Sequence, residues 1–99
     1  MCGKKIFVTP DPDLAEEAEW YMGQLKTYSA NITEALARKD FESLRTMGHR
    51  MKGSGVSFGF DGASKIGQAL EEAAGNGDAT EVQTAAEKLA DYVQRVELA

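Results

Sequence analysis

The chain has 99 residues, of which 42% are hydrophobic, and it carries a formal net charge of −5 at pH 7. A chain of this length has room for one hydrophobic core and therefore for one domain. The acidic balance argues against a nucleic-acid-binding surface, which would need a basic face.

Cysteine usage and hydropathy indicate the compartment. The single cysteine, Cys2, cannot form an internal disulfide, which suits a reducing environment, and its place at the N-terminus argues against a catalytic role. No apolar run approaches the roughly 18 residues of a membrane span. The apolar stretch ending at Val8 is too short for a signal peptide. We therefore expect a cytoplasmic protein without a membrane partner.

The first residues predict a short extended arm rather than a helix. Ile6 and Val8 are its expected anchors on the rest of the chain. We place the boundary after the arm, so that residues 1–10 form the arm and residues 11–99 form a helical domain.

The pattern from there to about Arg38 predicts a long amphipathic helix. Pro10 and Pro12 break any helix before it, and Asp11 or Asp13 is its expected N-cap. Apolar residues recur at spacings of three and four, which is typical of a helix with one buried face. They are Leu14, Ala18, Tyr21, Leu25, Tyr28, Ile32 and Ala35.

A second helix is predicted between Asp40, which can cap it, and Gly59, which can terminate it. Its buried face is expected to comprise Phe41, Leu44, Met47, Gly48, Met51, Gly55 and Phe58. His49 lies on the flank of this face, roughly 100° from its middle, and is therefore expected to be half-exposed. The other residues of this flank are Arg45, Lys52 and Val56.

Two further helices complete the predicted domain. Asp61 is the expected cap of the third helix, and Asp78 or Thr80 that of the fourth, after a turn at residues 75–78. The inward residues are Ala63, Ile66, Leu70 and Ala74 in the third helix and Val82, Ala86, Leu89, Val93 and Val96 in the fourth. Four amphipathic helices with short connections predict an all-α fold, an antiparallel up-down-up-down four-helix bundle behind the extended arm.

His49 is the only histidine, and its surroundings carry the clearest chemical signal. On a helix, Lys52 and Gly53 share a face with it. An imidazole that accepts an anionic group needs an outward-pointing lone pair, a cation nearby and open space for a partner. Lys52 can supply the cation. Gly53 can supply the space, and its presence in a helix, at a cost of about 1 kcal/mol relative to alanine, calls for such a reason.

The other imidazole nitrogen needs an acceptor that fixes the tautomer. Glu71 is the best candidate, because it flanks the apolar stripe of the third helix. It lies about as far from the turn near Gly59 and Phe60 as His49 does. The alternative is a solvated glutamate, which is the usual fate of this residue on a helix.

The run reads His49-Arg50-Met51-Lys52-Gly53-Ser54-Gly55-Val56-Ser57-Phe58-Gly59-Phe60. It resembles the signature of histidine-containing phosphotransfer (HPt) domains, His-x-x-Lys-Gly-Ser with a glycine shortly after. The resemblance is free of gaps from His49 to Glu71, and as a fold it covers about residues 11–97. It implies that His49 is phosphorylated on Nε2, that Lys52 balances the phosphoryl charge, that Gly53 leaves clearance for the partner and that Glu71 holds Nδ1.

One departure from the family pattern is the number of glycines in the second helix. They include Gly48, Gly55 and Gly59, and many relatives have small residues other than glycine at some of these sites. This composition predicts a soft helix, because glycine lowers helix stability.

The resemblance further implies a phosphocarrier rather than an enzyme. Such a domain takes its phosphoryl group from a histidine kinase or a phosphorylated receiver domain and passes it to a receiver aspartate. The receiver supplies the acid chemistry and Mg²⁺, so we expect no cofactor in this chain. The sequence has no Glu-x-x-His pair and no Cys/His cluster, so we expect no bundle metal site either.

We expect a monomer that docks on its partner through an apolar patch beside His49. Val56 and nearby residues of the first helix would form the patch, with Arg45, Lys52 and Gln68 at its rim. Ser54 is placed in the same docking set. The alternative for Ser54 is a local hydrogen bond to the carbonyl four residues earlier.

Two other functions remain open at this point. The chain could be the phosphoacceptor domain of a chemotaxis-type histidine kinase, or a structural helical adaptor that never carries phosphate. The adaptor hypothesis predicts that His49→Gln leaves function intact. We expect Trp20 and the tyrosines to be core and helix-packing groups rather than parts of a ligand site.

Overall fold

A computed structural model describes residues 4–99 of the chain, and over this range it contains four α-helices and two short strands. The prediction made for Cys2 lies outside the described residues. The elements are β1 (Ile6–Val8), a 3₁₀ turn (Pro12–Leu14), α1 (Ala15–Ala37), α2 (Phe41–Ser57), α3 (Asp61–Gly75), α4 (Ala79–Arg95) and β2 (Val96–Leu98).

The helices form the predicted four-helix bundle. The linkers between consecutive helices are residues 38–40, 58–60 and 76–78. Because they are so short, consecutive helices run antiparallel. Each helix packs on two others, in the cyclic order α1, α2, α3, α4, and the most extensive packing is between α2 and α3. Within residues 4–99, no helix combines the length and the apolar character needed to cross a membrane.

The helix caps follow the sequence at α2 and α4. Asp40 Oδ1 accepts a hydrogen bond from the Ser43 N–H at 3.1 Å, and Asp78 Oδ1 accepts one from the Glu81 N–H at 3.1 Å. Gly59 has a φ of +86°, a left-handed conformation that ends α2 as predicted.

Two predicted caps are wrong. Asp11 caps the 3₁₀ turn, through a 2.9 Å bond from the Asp13 N–H, and α1 begins after Leu14 without a side-chain cap. Asp61 is the first residue of α3 rather than its cap. The cap position belongs to Phe60, whose backbone is non-helical and whose side chain is fully buried.

The apolar stripes predict the core closely. Residues expected to face inward and found fully buried are Ala18, Leu25, Ile32, Leu44, Met51, Ala63, Leu70, Val82 and Leu89. The inward face of α4 differs, because Ala85 and Tyr92 are buried whereas Ala86 and Val93 are only half-buried. Gly62 explains the shift: a Cβ there would lie 2.5 Å from the Tyr92 ring, so the absence of a side chain gives Tyr92 its place.

Two of the three glycines of α2 lie in its interface with α3. Gly48 and Gly55 are buried there, facing Gly67 and Ser64 of α3, and a Cβ at Gly48, Gly55 or Gly67 would meet main-chain atoms of the other helix. The helix itself is continuous from Phe41 to Ser57. The glycine-rich composition therefore serves a close approach of two helices.

The termini form a parallel two-stranded sheet, in which Ile6 pairs with Val96 and Val8 with Leu98. The prediction that α4 continues through Val96 is therefore wrong, since α4 ends at Arg95. Val96 remains buried, but its backbone is extended so that it pairs with the arm. The Arg95 guanidinium also donates to the Lys4 carbonyl at 2.6 Å, and this contact holds the arm against the end of α4.

We expect the arm to contribute to stability through Val8, whose side chain is 7% exposed, and not through Phe7, which is 63% exposed. Val8→Ala removes two buried methyl groups and should lower the free energy of unfolding by roughly 1.5–2.5 kcal/mol. Phe7→Ala, its matched control on the same strand, should change it by less than about 0.5 kcal/mol. Urea denaturation measures both. Equal losses in the two variants would contradict the burial of Val8 as the anchoring contact.

Candidate functional site

His49 stands on the flank of α2 that the helical pattern predicts, but it is exposed rather than half-exposed. Its side chain is 71% exposed, although Gly48, directly before it, is buried. Because α2 is unbroken from His49 through Gly53, Lys52 and Gly53 project on the same side, one turn later. Asp40 caps the helix two turns before His49 and helps to hold this stretch of backbone helical.

Glu71 reaches this flank from α3 and contacts the side chains of both His49 and Lys52. Its Oε2 lies 2.9 Å from His49 Nδ1, and its Oε1 lies 3.4 Å from Lys52 Nζ. The Glu71 side chain is 22% exposed, so it lies mostly within the groove between the two helices. The structure thus brings together the three side chains that the sequence singled out, and Glu71 is not a solvated surface residue.

The ionisation of Glu71 follows from these contacts. Burial works against its charge, but the hydrogen bonds from His49 and Lys52, together with their positive charges, outweigh burial and hold the pKa of the Glu71 carboxyl below its ordinary value. At neutral pH the group is therefore a carboxylate, which can only accept hydrogen bonds.

An acceptor at Glu71 determines the tautomer of His49. The 2.9 Å contact requires a proton on Nδ1, since the carboxylate has none to give. In the neutral imidazole, Nε2 then carries the free lone pair. Because Nδ1 points toward α3, Nε2 is on the opposite edge of an exposed ring. This arrangement presents a nucleophilic nitrogen to an incoming electrophile.

Gly53 leaves open space beside the imidazole. Apart from its own helix turn, no atom of residues 4–99 would lie within 4 Å of a Cβ at this position. Gly53 therefore has no packing reason to lack a side chain, in contrast to the buried Gly48 and Gly55. The empty space is on the solvent side of α2, one turn beyond His49.

Ser54 bonds within the bundle. Its hydroxyl donates to the Arg50 carbonyl at 2.7 Å, and its oxygen lies 2.7 Å from the hydroxyl of Tyr21. Because the single proton of Ser54 is used on Arg50, Tyr21 is the donor in the second bond. The local hydrogen bond considered for Ser54 is thus present, and the residue also ties α1 to α2. Its place in a docking set stays a prediction.

The other predicted docking residues are exposed on α2 and α3. Val56 is 61% exposed, and it follows His49 by two turns on the same side of the helix. Arg45 is exposed one turn before His49 and lines a shallow groove with Lys52 and Glu71. Gln68 is exposed on α3 and donates to Glu72 at 3.4 Å.

The expectation that Trp20 belongs to the core is wrong. Its side chain is 60% exposed, and its ring lies 6.3 Å from that of Phe58 at the end of α2. The buried aromatic residue of this turn is Tyr21, whose ring stacks on that of Phe58 with a centroid separation of 4.9 Å. The predicted apolar stripe of this helix contains Tyr21 but not Trp20. The periodicity therefore already indicated that Trp20 lies outside the buried face.

Comparison with known proteins gives one finding about the family. Residues 16–99 match the family model described as Hpt domain. Neither the curated proteins nor the solved structures contain a significant match to the chain. The matched range includes His49, Lys52, Gly53 and Glu71 and extends over all four helices described above.

We expect Glu71→Gln to change how stability depends on pH. Because the pKa of Glu71 is lowered from 4.5 in the folded state, its charge stabilises the fold above pH 4.5. That contribution is lost as the pH falls through the folded-state pKa. Urea denaturation from about pH 7 to about pH 3 should show the difference between wild type and variant shrinking toward the acid end.

Glu87→Gln, at an exposed position of α4, is the control for this experiment. Its difference from wild type should stay nearly constant over the same pH range. Stability curves for Glu71→Gln that run parallel to the wild-type curve would contradict the charged contact.

Proposed function

Because this chain belongs to the Hpt domain family, we propose that His49 accepts a phosphoryl group on Nε2 and exchanges it with the aspartate of a receiver domain. Domains of this family carry out histidine phosphotransfer in phosphorelays and interact with histidine kinases and receiver domains. They are phosphocarriers rather than catalysts. The observation that carries the proposal is the 2.9 Å contact from His49 Nδ1 to Glu71, which leaves Nε2 free on an exposed ring.

In the proposed transfer the Nε2 lone pair attacks the phosphorus of the receiver's aspartyl phosphate. The N–P bond forms as the P–O bond to aspartate breaks, and the electron pair leaves with the aspartate carboxylate. The proton on Nδ1 stays in place throughout. The ring becomes positively charged as the bond forms, and Glu71, 2.9 Å away, stabilises that charge. Transfer to a receiver aspartate is the same step in reverse.

Lys52 would offset the charge of the bound phosphoryl group. Its Nζ is 3.4 Å from Glu71 Oε1 and its side chain is 48% exposed, so a rotation of the flexible lysine stem can bring the ammonium toward a group on Nε2. Until then, Glu71 keeps the ammonium beside the imidazole. Arg45, exposed one turn before His49, is a second cation on this flank.

The receiver would dock on the solvent side of α2 and the adjacent part of α1. Gly53 leaves the space into which its active site can enter, and Val56 supplies an exposed apolar side chain beyond it. On α1, the exposed Trp20 extends the apolar surface at the same end of the α2 helix, through its packing on Phe58. A small patch of this kind suits a transient complex.

The chemistry can be tested without a partner protein. Treatment of the purified chain with phosphoramidate, followed by ³¹P NMR, should give a single acid-labile signal of Nε2-phosphohistidine, because the free lone pair is on Nε2. His49→Gln, checked for an unchanged helical circular dichroism spectrum, should give no signal. A folded wild-type chain that gains no phosphohistidine, even with a receiver or kinase present, would favour the structural adaptor over the phosphocarrier.

The space at Gly53 gives a second test, of docking. Gly53→Ala should raise the free energy of unfolding by about 1 kcal/mol, because alanine is the better helix former. A Cβ there meets no neighbouring helix of the described residues. Exchange with a receiver that phosphorylates the wild-type chain should slow by roughly 10- to 100-fold, because a methyl group beside His49 displaces the partner's phosphoryl group.

Gly23→Ala is the matched control, since a Cβ at this position of α1 also has no contact within 4 Å among the described residues. It should stabilise the chain in the same way and leave exchange unchanged. Labelling by phosphoramidate should be the same in both variants. Equal exchange rates for Gly53→Ala and Gly23→Ala would count against the proposed clearance.

A further inference from the structure

Gly48, the residue directly before His49, is in main-chain contact with Glu71. A Cβ on Gly48 would lie 2.5 Å from the Glu71 backbone nitrogen, 2.7 Å from the Gly67 carbonyl oxygen and 2.9 Å from the Glu71 Cα. All three are backbone atoms of α3, which cannot move aside as the end of a flexible side chain can. The two helices therefore touch at the turn that carries the phosphoacceptor and its hydrogen-bond partner.

Gly67 makes the corresponding close contact from α3. A Cβ on Gly67 would lie 2.6 Å from the Lys52 backbone nitrogen and 2.8 Å from the Gly48 carbonyl oxygen. Gly67 precedes Glu71 by one turn, and Gly48 precedes Lys52 by one turn. Two glycines facing each other thus set the separation of α2 and α3 where His49, Lys52 and Glu71 meet.

Ser64, two turns before Glu71 on α3, also links the two helices. Its hydroxyl donates to the Lys52 carbonyl at 2.7 Å, a bond between the two helices. With the separation set by Gly48 and Gly67, the Glu71 backbone has little freedom to move away from His49. The carboxylate then reaches Nδ1 at 2.9 Å.

We propose that Gly48 is a positioning residue of the phosphoacceptor site: its missing side chain sets the helix separation at which Glu71 holds the Nδ1 proton of His49. This inference rests on the proposed function for its biological meaning. Its structural content concerns the unphosphorylated chain alone. An alanine at position 48 would push α3 outward at Glu71, and a hydrogen bond of 2.9 Å tolerates only a few tenths of an ångström before it weakens.

Gly55 offers a matched control for a role in packing alone. A Cβ there would lie 2.7 Å from the Ser64 backbone nitrogen and 3.0 Å from the Phe60 carbonyl oxygen, a clash of the same kind in the same interface. It lies two turns beyond Gly48, about 10 Å along the helix. Gly55→Ala should therefore destabilise the bundle as Gly48→Ala does, but without moving the Glu71 backbone away from His49.

The experiment is ¹⁵N NMR of the imidazole in histidine-labelled, unphosphorylated protein above the pH at which the ring is protonated. The wild type and Gly55→Ala should show mainly the Nδ1–H tautomer. Gly48→Ala should lose that predominance and resemble Glu71→Ala, in which the acceptor is absent. A wild-type tautomer in folded Gly48→Ala, or the same loss in Gly55→Ala, would overturn the proposal, because Gly48 would then be a packing residue only.

Glu71→Asp tests the same distance without a clash, should Gly48→Ala fail to fold. The glycine contact stays intact, and the carboxylate recedes from His49 by one methylene group. Loss of the Nδ1–H predominance is expected, and its retention would overturn the proposal. Phosphohistidine labelling distinguishes the two proposals. A wild-type chain with the Nδ1–H tautomer that gains no phosphohistidine, even with a receiver or kinase present, would refute the proposed function and leave the positioning role standing.

Discussion

The close packing of α2 against α3 is the contact on which the rest of this molecule depends. Helices normally meet through side chains, and their axes then stay 8–10 Å apart. Here Gly48 and Gly55 on α2 and Gly67 on α3 lie main chain against main chain. The helix propensity that these glycines sacrifice, about 1 kcal/mol each, is offset by a large shared interface. The turn between the helices, with Gly59 and the buried Phe60, closes the hairpin.

The electrostatics of the site depend on this hairpin. A single carboxylate, Glu71, contacts an imidazole from one oxygen and an ammonium from the other. A carboxylate in a groove would ordinarily lose charge to desolvation, yet two donors keep the pKa of Glu71 lowered. The charge of Glu71 on α3 thereby determines which imidazole nitrogen of His49 on α2 carries the proton. The Nε2 edge of the exposed ring faces away from Glu71, so the hydrogen bonds of the site are on the side of α3.

The glycines of α2 have two different physical roles, although they are identical in sequence. Gly48 and Gly55 are buried and would clash if substituted, whereas a side chain at Gly53 would have open space around it. The first kind determines the distance between two helices. The second kind leaves the exposed surface of α2 without a protruding side chain. The glycine-rich composition predicts a soft helix. Instead α2 is continuous, and two of its glycines are packed against α3.

Sequence periodicity alone determined the helices, most of the core and the flank on which His49 stands, because these follow from a regular 3.6-residue repeat and a set of caps. The motif also singled out Lys52, Gly53 and Glu71. The tertiary structure decided what depends on residues distant in the chain: the pairing of Ile6 with Val96, which ends α4 early, and the exposure of Trp20. It also decided the distance from Glu71 to His49. Local patterns report which face a residue takes, whereas the separation of two helices depends on the atoms of both.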